Sequence, residues 1–167
     1  MTTPATSVVK QGQELISFSI AEQEYCVDVM AVREIRGWTQ ATTLPSSPEH
    51  VRGIINLRGT VLPIVDLSAR LGLGTTASSA RNVIIVVDIA DKQVGLLVDA
   101  VSEIFTIDPK TMQQAPDVGS AAVRRMVKGV LPAEGGKLIS WIALENTLTD
   151  DIAIPAAVAA ATVAAAA

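Results

Sequence analysis

The sequence predicts an all-β protein made of two SH3-like, five-stranded β-barrel subdomains. Its apolar residues fall into short runs rich in valine and isoleucine, separated by glycine, proline and polar residues, as is typical of strands and turns. The second half of the chain then repeats the strand pattern of the first half. Two copies of one small β unit explain this repeat more economically than a single large sheet.

Order is expected from Glu14 onward, because residues 1–13 are polar and show no periodicity that could bury one face. Residues 15–20, LISFSI, alternate apolar and polar side chains, and residues 25–29, YCVDV, return after a polar turn. This pattern predicts an antiparallel hairpin. Residues 30–35 are expected to continue it as a bend or a short helical turn.

A second hairpin is predicted at residues 51–67, VRGIINLRGTVLPIVDL, which hold nine Val, Ile and Leu residues in seventeen positions. The two strands would run from Val51 to Leu57 and from Val61 to Leu67. Residues 58–60, Arg-Gly-Thr, would join them, since glycine tolerates a positive φ. A guanidinium at the tip of so apolar a hairpin needs a carboxylate, solvent or another protein as its partner.

The internal repeat is carried by three matched segments. The pattern Val-x-Glu-Ile occurs at residues 32–35 and again at residues 101–104, which is 69 positions later. Residues 127–131 match 51–55, and residues 136–139 match 59–62, at offsets of 76 and 77. The two copies therefore predict a domain over residues 14–150.

Residues 72–80, GLGTTASSA, predict a linker between the copies. Two intertwined subdomains of about residues 14–72 and 81–150 are then expected, with an exchange of strands between them left open. Residues 152–167 are mostly alanine and predict a frayed helix or a disordered tail outside the repeat.

Composition excludes several classes of function. A net charge of −4 argues against a broad nucleic-acid or anionic-membrane surface. The N-terminus lacks a hydrophobic signal core, and the alanine-rich tail is too short to span a bilayer, so a cytoplasmic protein without direct membrane insertion is expected. Exposed apolar strands without a catalytic set favour a protein that binds other proteins.

The residues that could support catalysis are few, so we expect no enzyme, no cofactor and no metal site. The chain has one histidine, His50, which lies in a connector, and one cysteine, Cys26, which is expected to be a buried apolar residue. A rival hypothesis is a small β-barrel enzyme that uses Asp66, Asp99 or Cys26, but no pattern brings these residues together.

Four motifs in a fixed order resemble one known family. They are residues 32–35, VREI, residues 53–59, GIINLRG, residues 63–67, PIVDL, and residues 95–104, GLLVDAVSEI. In these motifs, and from about Glu14 to Leu148, the sequence resembles the CheW family of bacterial chemotaxis coupling proteins. The resemblance implies two SH3-like subdomains and an adaptor without catalytic activity. The adaptor would be a monomer alone and a component of membrane receptor arrays in cells.

Two partners are implied by the same resemblance: the cytoplasmic tip of a methyl-accepting chemotaxis receptor and the regulatory domain of the histidine kinase CheA. Arg58 and Glu34 match the family's Arg and Glu beside these contacts, and we predict that they form an ion pair. Further residues are expected to surround a groove between the subdomains that receives the receptor helices: Val32, Ile35, Gly53, Asn56, Val98 and Asp99.

Other roles stay open for several of these residues. Gly53 and Gly59 could be ordinary turn or bulge residues, Val32 and Ile35 could pack in the core, and Arg58 could be a solvated cation. The family's pathway is also open, since an adaptor of a type IV pilus or another chemosensory pathway would carry the same motifs.

The second copy departs from the first in two places. The resemblance predicts an acid where Ala143 stands, and Trp141 adds bulk, so the closing hairpin is expected to pack or bind differently. Residues 133–136 also replace the Leu57-Arg58-Gly59 tip of the first copy. The fold alone therefore does not require Arg58, which favours a functional role for the first tip.

Overall fold

The computed structural model describes residues 12–43, 45, 49–76, 81–89, 92–114 and 121–147. Within these ranges the strands are β1 (Gln13–Ile20), β2 (Gln23–Asp28), β3 (Val32–Gly37), β4 (Val51–Leu57), β5 (Thr60–Asp66), β6 (Val83–Ile89), β7 (Lys92–Val98), β8 (Ala100–Ile107), β9 (Val127–Pro132) and β10 (Leu138–Ile142). The same ranges contain three short helices, α1 (Leu67–Arg70), α2 (Ala121–Met126) and α3 (Leu144–Thr147), and 3₁₀ turns at Val29–Ala31, Pro109–Thr111 and Glu134–Gly136.

The strands form two five-stranded sheets, which confirms the predicted all-β class. Sheet 1 has the order β8-β1-β2-β10-β9, and sheet 2 has the order β3-β6-β7-β5-β4. Each sheet takes two strands from one half of the chain and three from the other. The linker at residues 72–80 therefore separates the two sequence copies, whereas both sheets are shared between them.

Neither sheet is a closed barrel, which corrects the expected SH3-like closure. We call the gap between the two edge strands of a sheet its seam. In sheet 2 the seam between β3 and β4 is crossed by one bridge, in which Thr42 and Ile54 exchange hydrogen bonds of 2.8 and 2.9 Å. A continuous ladder does not form because β3 ends at Gly37, before the chain reaches β4. Gln113 and Val130 form the equivalent bridge across the seam between β8 and β9.

The β4–β5 and β1–β2 hairpins have tight two-residue turns at their tips. Arg58 has a φ of 51° and Gly59 has a φ of 84°, as a type I′ turn requires at both central positions. Thr60 belongs to β5, so the predicted connection was one residue too long. Ala21 and Glu22 also have positive φ values at the turn from β1 to β2.

The predicted boundaries differ from the structure at two further places. Strand β1 begins at Gln13, one residue before the expected start of order. Residues 32–35 belong to a strand, and only Val29–Ala31 form the predicted helical turn. Most of the expected disordered N-terminus and the whole alanine-rich tail lie outside the described residues.

The largest apolar cluster joins the two sheets. It contains buried residues of both, among them Phe18, Val27, Val65 and Leu96. A smaller cluster lies on sheet 2, where Trp38 packs beside buried strand residues, and another lies on sheet 1, where Cys26 and Trp141 are buried. Burying apolar surface in this way is the main stabilising term for such a domain.

Gly53 is required by the bridge of sheet 2. Its φ is 148°, and a Cβ at this position would overlap the carbonyl oxygen of Thr42. Gly129 stands at the equivalent place in the second copy, where a Cβ would lie 2.6 Å from the carbonyl oxygen of Gln113. Both glycines therefore allow the chain that crosses a seam to approach the edge strand closely.

Asp66 fixes the beginning of the linker to the first copy. Its fully buried carboxylate accepts hydrogen bonds of 2.7 Å from both the amide and the hydroxyl of Thr76. It also accepts a long hydrogen bond from the Ala69 amide at the start of α1. Ala143 occupies the matching place before α3 and is buried without a carboxylate. The second copy therefore lacks this anchor.

Candidate functional site

The predicted ion pair between Arg58 and Glu34 forms at the tip of the β4–β5 hairpin. Arg58 Nη2 donates to Glu34 Oε1 at 2.5 Å. The Arg58 side chain remains 71% exposed, whereas that of Glu34 is 28% exposed. The guanidinium is thus held in one place on the surface while most of it stays available to a partner.

Two arginines act on the Glu34 carboxylate. The hydrogen bond from Arg58 lowers the pKa of Glu34 below its ordinary value, and the positive charges of Arg58 and Arg36 lower it further. Arg36 Nη1 lies 3.6 Å from Glu34 Oε2. Glu34 therefore stays ionised under mildly acidic conditions, and the pair persists there.

Asn56 shapes the turn that presents Arg58. Its side-chain oxygen Oδ1 accepts a hydrogen bond of 2.8 Å from the Gly59 amide. Such an interaction between an Asn side chain and the backbone stabilises tight turns. Asn56 therefore stabilises the turn that carries Arg58. Its side chain is exposed and so remains accessible to a partner as well.

The neighbouring candidates on β3 divide into one core residue and one surface residue. Val32 is partly buried and packs against the large cluster between the sheets. Ile35 is 45% exposed, which is unusual for a large apolar side chain on a regular strand. Ile35 follows Glu34 directly on the strand, so its exposed side chain points to the opposite face of β3 from the ion pair.

Two other candidates, Val98 and Gly53, are buried within the fold. Val98 is fully buried in the cluster between the sheets, so the expectation that it lines an open groove is wrong. Gly53 is buried beneath Thr42, so the close approach that it permits is made by its own chain. Both residues can influence a binding surface only by supporting it.

Asp99 lies away from the hairpin tip. Its Oδ2 accepts a hydrogen bond of 2.9 Å from the Ala21 amide, and its own amide donates to the Ser19 carbonyl. Because β5 and β7 are parallel, Arg58 precedes one end of this pair while Asp99 follows the other end. The eight candidates therefore do not line one groove. The structure brings Glu34, Asn56 and Arg58 together, and Ile35 is exposed on the other face of β3.

Sequence reasoning missed three charged or apolar surface residues on β3 and in the turn before it. Arg36 was detectable, because residues two apart on a strand share a face and Glu34 was already a candidate. Met30, in the 3₁₀ turn, is 85% exposed. Arg33 forms an ion pair of 2.5 Å with Asp88, which links β3 to β6. No local pattern indicates that pairing, since 55 residues separate its partners.

The residues of the rival enzyme hypothesis have structural roles. Cys26 is buried, as predicted, and burial raises the pKa of its thiol to about 12. Asp66 holds the linker, and Asp99 holds a turn. Across the described ranges, no three His, Cys, Asp or Glu side chains are grouped so that they could hold a metal ion. The helices in those ranges also include none that is long and apolar enough to cross a membrane.

Comparison with known proteins gives consistent matches over most of the chain. The family described as CheW-like domain matches residues 14–151. The chain is 48% identical to "Chemotaxis protein CheW" of Rhizobium meliloti (strain 1021), over 90% of this chain and 97% of that protein. It is 49% identical to "Probable chemotaxis protein CheW" of Rhizobium etli, over 87% and 94%.

A solved structure matches as well. The crystal structure of the scaffolding protein TtCheW from Thermoanaerobacter tengcongensis superposes with a TM-score of 0.74 at 34% sequence identity. The match covers 83% of this chain and 90% of the other.

Proposed function

Because the chain belongs to the CheW-like domain family, we propose that it is a non-catalytic adaptor that couples the cytoplasmic tips of chemoreceptors to the histidine kinase CheA. The observation that carries this proposal is the 48% identity to a chemotaxis protein along nearly its whole length. Two relatives with chemotaxis in their names favour that pathway over a type IV pilus or another chemosensory pathway.

The adaptor acts by holding a receptor and the kinase in fixed positions relative to each other. It is a monomer alone and becomes a component of receptor arrays on the cytoplasmic side of the membrane, where it contacts a receptor tip and the regulatory domain of the kinase. Weak interfaces gain effective strength when many are linked in one assembly. Receptor control of kinase activity then follows from holding both partners in a fixed geometry.

The β4–β5 tip and β3 form the proposed binding surface, with Arg58, Glu34 and Asn56 as contact residues at the tip and Ile35 as a contact residue on the other face of β3. The turn geometry, the ion pair and the Asn56 hydrogen bond each restrict the Arg58 guanidinium. Restricting a long side chain before binding lowers the entropy cost of the complex. Val32, Gly53, Val98 and Asp99 support this surface through the fold.

A binding experiment tests the proposal with purified full-length chain, a receptor signalling fragment and the CheA regulatory domain. We expect the wild-type chain to bind both, and Arg58→Glu to weaken binding of at least one partner by about tenfold, as for a charged contact of an interface. Lys110→Glu is the matched control, since it reverses an exposed charge on another segment.

Two results would count against the proposal. Binding of the wild-type chain to neither partner overturns the adaptor function. Equal affinities of wild type and Arg58→Glu for both partners remove Arg58 from the binding surface and leave the adaptor function standing. Circular dichroism of each variant checks that the fold is retained.

A further inference from the structure

Met112 lies where the chain crosses the seam of sheet 1, one residue before the bridge. At this bridge the amides of Gln113 and Val130 donate hydrogen bonds of 2.9 and 2.8 Å to each other's carbonyl oxygens. The Met112 side chain lies directly over the edge strand, because a Cβ added to Gly129 would be 2.6 Å from its Cγ and 2.9 Å from its Sδ. The thioether therefore packs at the point where β9 meets the crossing segment.

The same side chain covers the smaller apolar cluster of sheet 1. Met112 is partly buried and packs against this cluster, in which Cys26 and Trp141 are buried. In the first copy, Ala41 takes the corresponding place, one residue before Thr42, and packs against the cluster of sheet 2. One copy thus covers its seam with a methyl group, whereas the other copy uses a longer side chain that contains sulfur.

The Met112 thioether is accessible to a small oxidant from solution. Its exposure lies between those of the two other methionines in the described ranges, since Met30 is 85% exposed and Met126 is 4% exposed. An open groove of about 610 Å³ reaches the preceding residue, Thr111, and several members of the same cluster, among them Leu131. A molecule as small as a peroxide can therefore approach the cluster while the domain stays folded.

Cys26 is the other sulfur of this cluster, and it is the poorer target for an oxidant. Burial raises the pKa of its thiol to about 12, so the reactive thiolate is scarce at neutral pH. A thioether needs no deprotonation before it reacts. Within the cluster, Met112 is therefore the sulfur that a peroxide oxidises first.

We propose that Met112 is a modification site, at which oxidation by a peroxide opens the seam of sheet 1. The sulfur donates an electron pair to one oxygen of hydrogen peroxide while the O–O bond breaks, which gives the sulfoxide and releases water. The sulfur is thereby oxidised by two electrons, and the peroxide is reduced by two. A reductase that uses two thiols reverses the step and forms a disulfide and water.

The chemistry of the sulfoxide explains the opening. Its S=O group is polar, so it is costly to keep against the apolar cluster, and it moves toward water. Gln113 follows directly in the chain and is drawn away from Val130 by this movement. The inference goes beyond the proposed function, because it concerns the seam of the chain alone and involves no partner.

The first part of the test is peptide mass spectrometry of the full-length chain during treatment with hydrogen peroxide. We expect Met30 to be oxidised first, Met112 second and Met126 last, in the order of their exposure. Oxidation of Cys26 or of Met126 ahead of Met112 overturns the proposal.

The second part measures amide hydrogen exchange by NMR before and after oxidation. Once Met112 is a sulfoxide, the amides of Gln113 and Val130 should exchange about tenfold faster, as expected for local opening. The amides of Thr42 and Ile54, which form the bridge of sheet 2, should keep their rates.

Two variants assign the effect to one sulfur. Met112→Leu keeps most of the apolar volume and removes the thioether, so its exchange rates should not respond to peroxide. Met30→Leu retains Met112 and should respond as the wild type does, which keeps the test valid if Met112→Leu fails to fold. Treating the oxidised chain with methionine sulfoxide reductase and a dithiol should restore the slow exchange at the bridge.

Three results of the exchange experiment contradict the proposal. The first is an unchanged rate at Gln113 and Val130 in chains that carry the Met112 sulfoxide. The second is an equal acceleration at both bridges, which indicates a general loosening of the domain. The third is a response to peroxide that persists in Met112→Leu.

Discussion

Arg58 and Glu34 form their ion pair across the seam of sheet 2. Glu34 lies on β3 and Arg58 follows β4, and these strands stand at opposite ends of the order β3-β6-β7-β5-β4. The pair therefore links the two edges of one curled sheet, beside the backbone bridge between Thr42 and Ile54. The ion pair therefore belongs to the proposed binding surface and also joins the two edge strands of sheet 2.

The pKa of Glu34 should report this contact. Arg58→Gln removes the hydrogen bond that lowers it most, so the Glu34 pKa should rise, and Arg36→Gln should raise it less. Because the folded pKa is depressed, the pair's contribution to stability is present above the unfolded pKa of about 4.3 and is lost as the pH falls through the folded value. NMR titration of the Glu34 carboxyl carbon measures the shift, and an unchanged value in Arg58→Gln would contradict it.

Gly53→Ala should destabilise the fold by about 2–4 kcal/mol, because its Cβ would overlap the Thr42 carbonyl and its φ disfavours any other residue. Gly37→Ala is the control, since its added Cβ meets no atom within 4 Å; we expect a change within about 0.5 kcal/mol. Urea unfolding measures both. Equal stabilities of the two variants would show that the bridge can move aside without cost.

Asp66→Asn should lower the free energy of unfolding by about 1–3 kcal/mol, because an amide cannot accept both hydrogen bonds from Thr76 in the same way. Thr76→Val removes only the hydroxyl and should cost about 1 kcal/mol. Since the two residues are in contact, the effects should not add in the double variant. If the losses in free energy of unfolding add in the double variant, measured by thermal or urea unfolding, Asp66 and Thr76 do not stabilise the fold through a shared interaction.

The two halves of the chain should fold only together. Four of the eight strand pairings join one half to the other: β1 with β8, β2 with β10, β3 with β6, and β5 with β7. A fragment of residues 1–76 and one of residues 77–167 should each lack a cooperative unfolding transition, and mixing them should restore it. Circular dichroism follows the recovery, and cooperative unfolding of either fragment alone would refute the prediction.

Local pattern was sufficient for the strands and the hairpin tip. Runs of β-branched residues identified β4 and β5. The position of Arg58 between them called for a carboxylate, solvent or another protein as its partner, and the resemblance indicated Glu34. Sheet membership was harder to predict, because equivalent strands of the two copies present similar apolar faces. A strand from either copy would match the alternation of apolar and polar residues in its neighbour. Only the contacts of the complete fold determine which of the two strands pairs with it.

The candidate site was predicted least well where a strand is apolar on both faces. Residues 94–98 are all buried, so alternation could not indicate that Val98 points into the cluster between the sheets. Asp99 follows directly and was assigned to the same groove, but its carboxylate serves the Ala21 turn. Contacts between distant segments determined both outcomes, and such contacts leave no local signature.

The strand exchange also bears on how the two copies can change over evolution. Deleting either copy would remove strands from both sheets, so neither copy can be lost after a duplication, whatever its own binding role. The second copy is therefore retained for folding while its tip and seam remain open to substitution. The absence of an arginine at residues 133–136 and of an acid at Ala143 are differences that such retention permits.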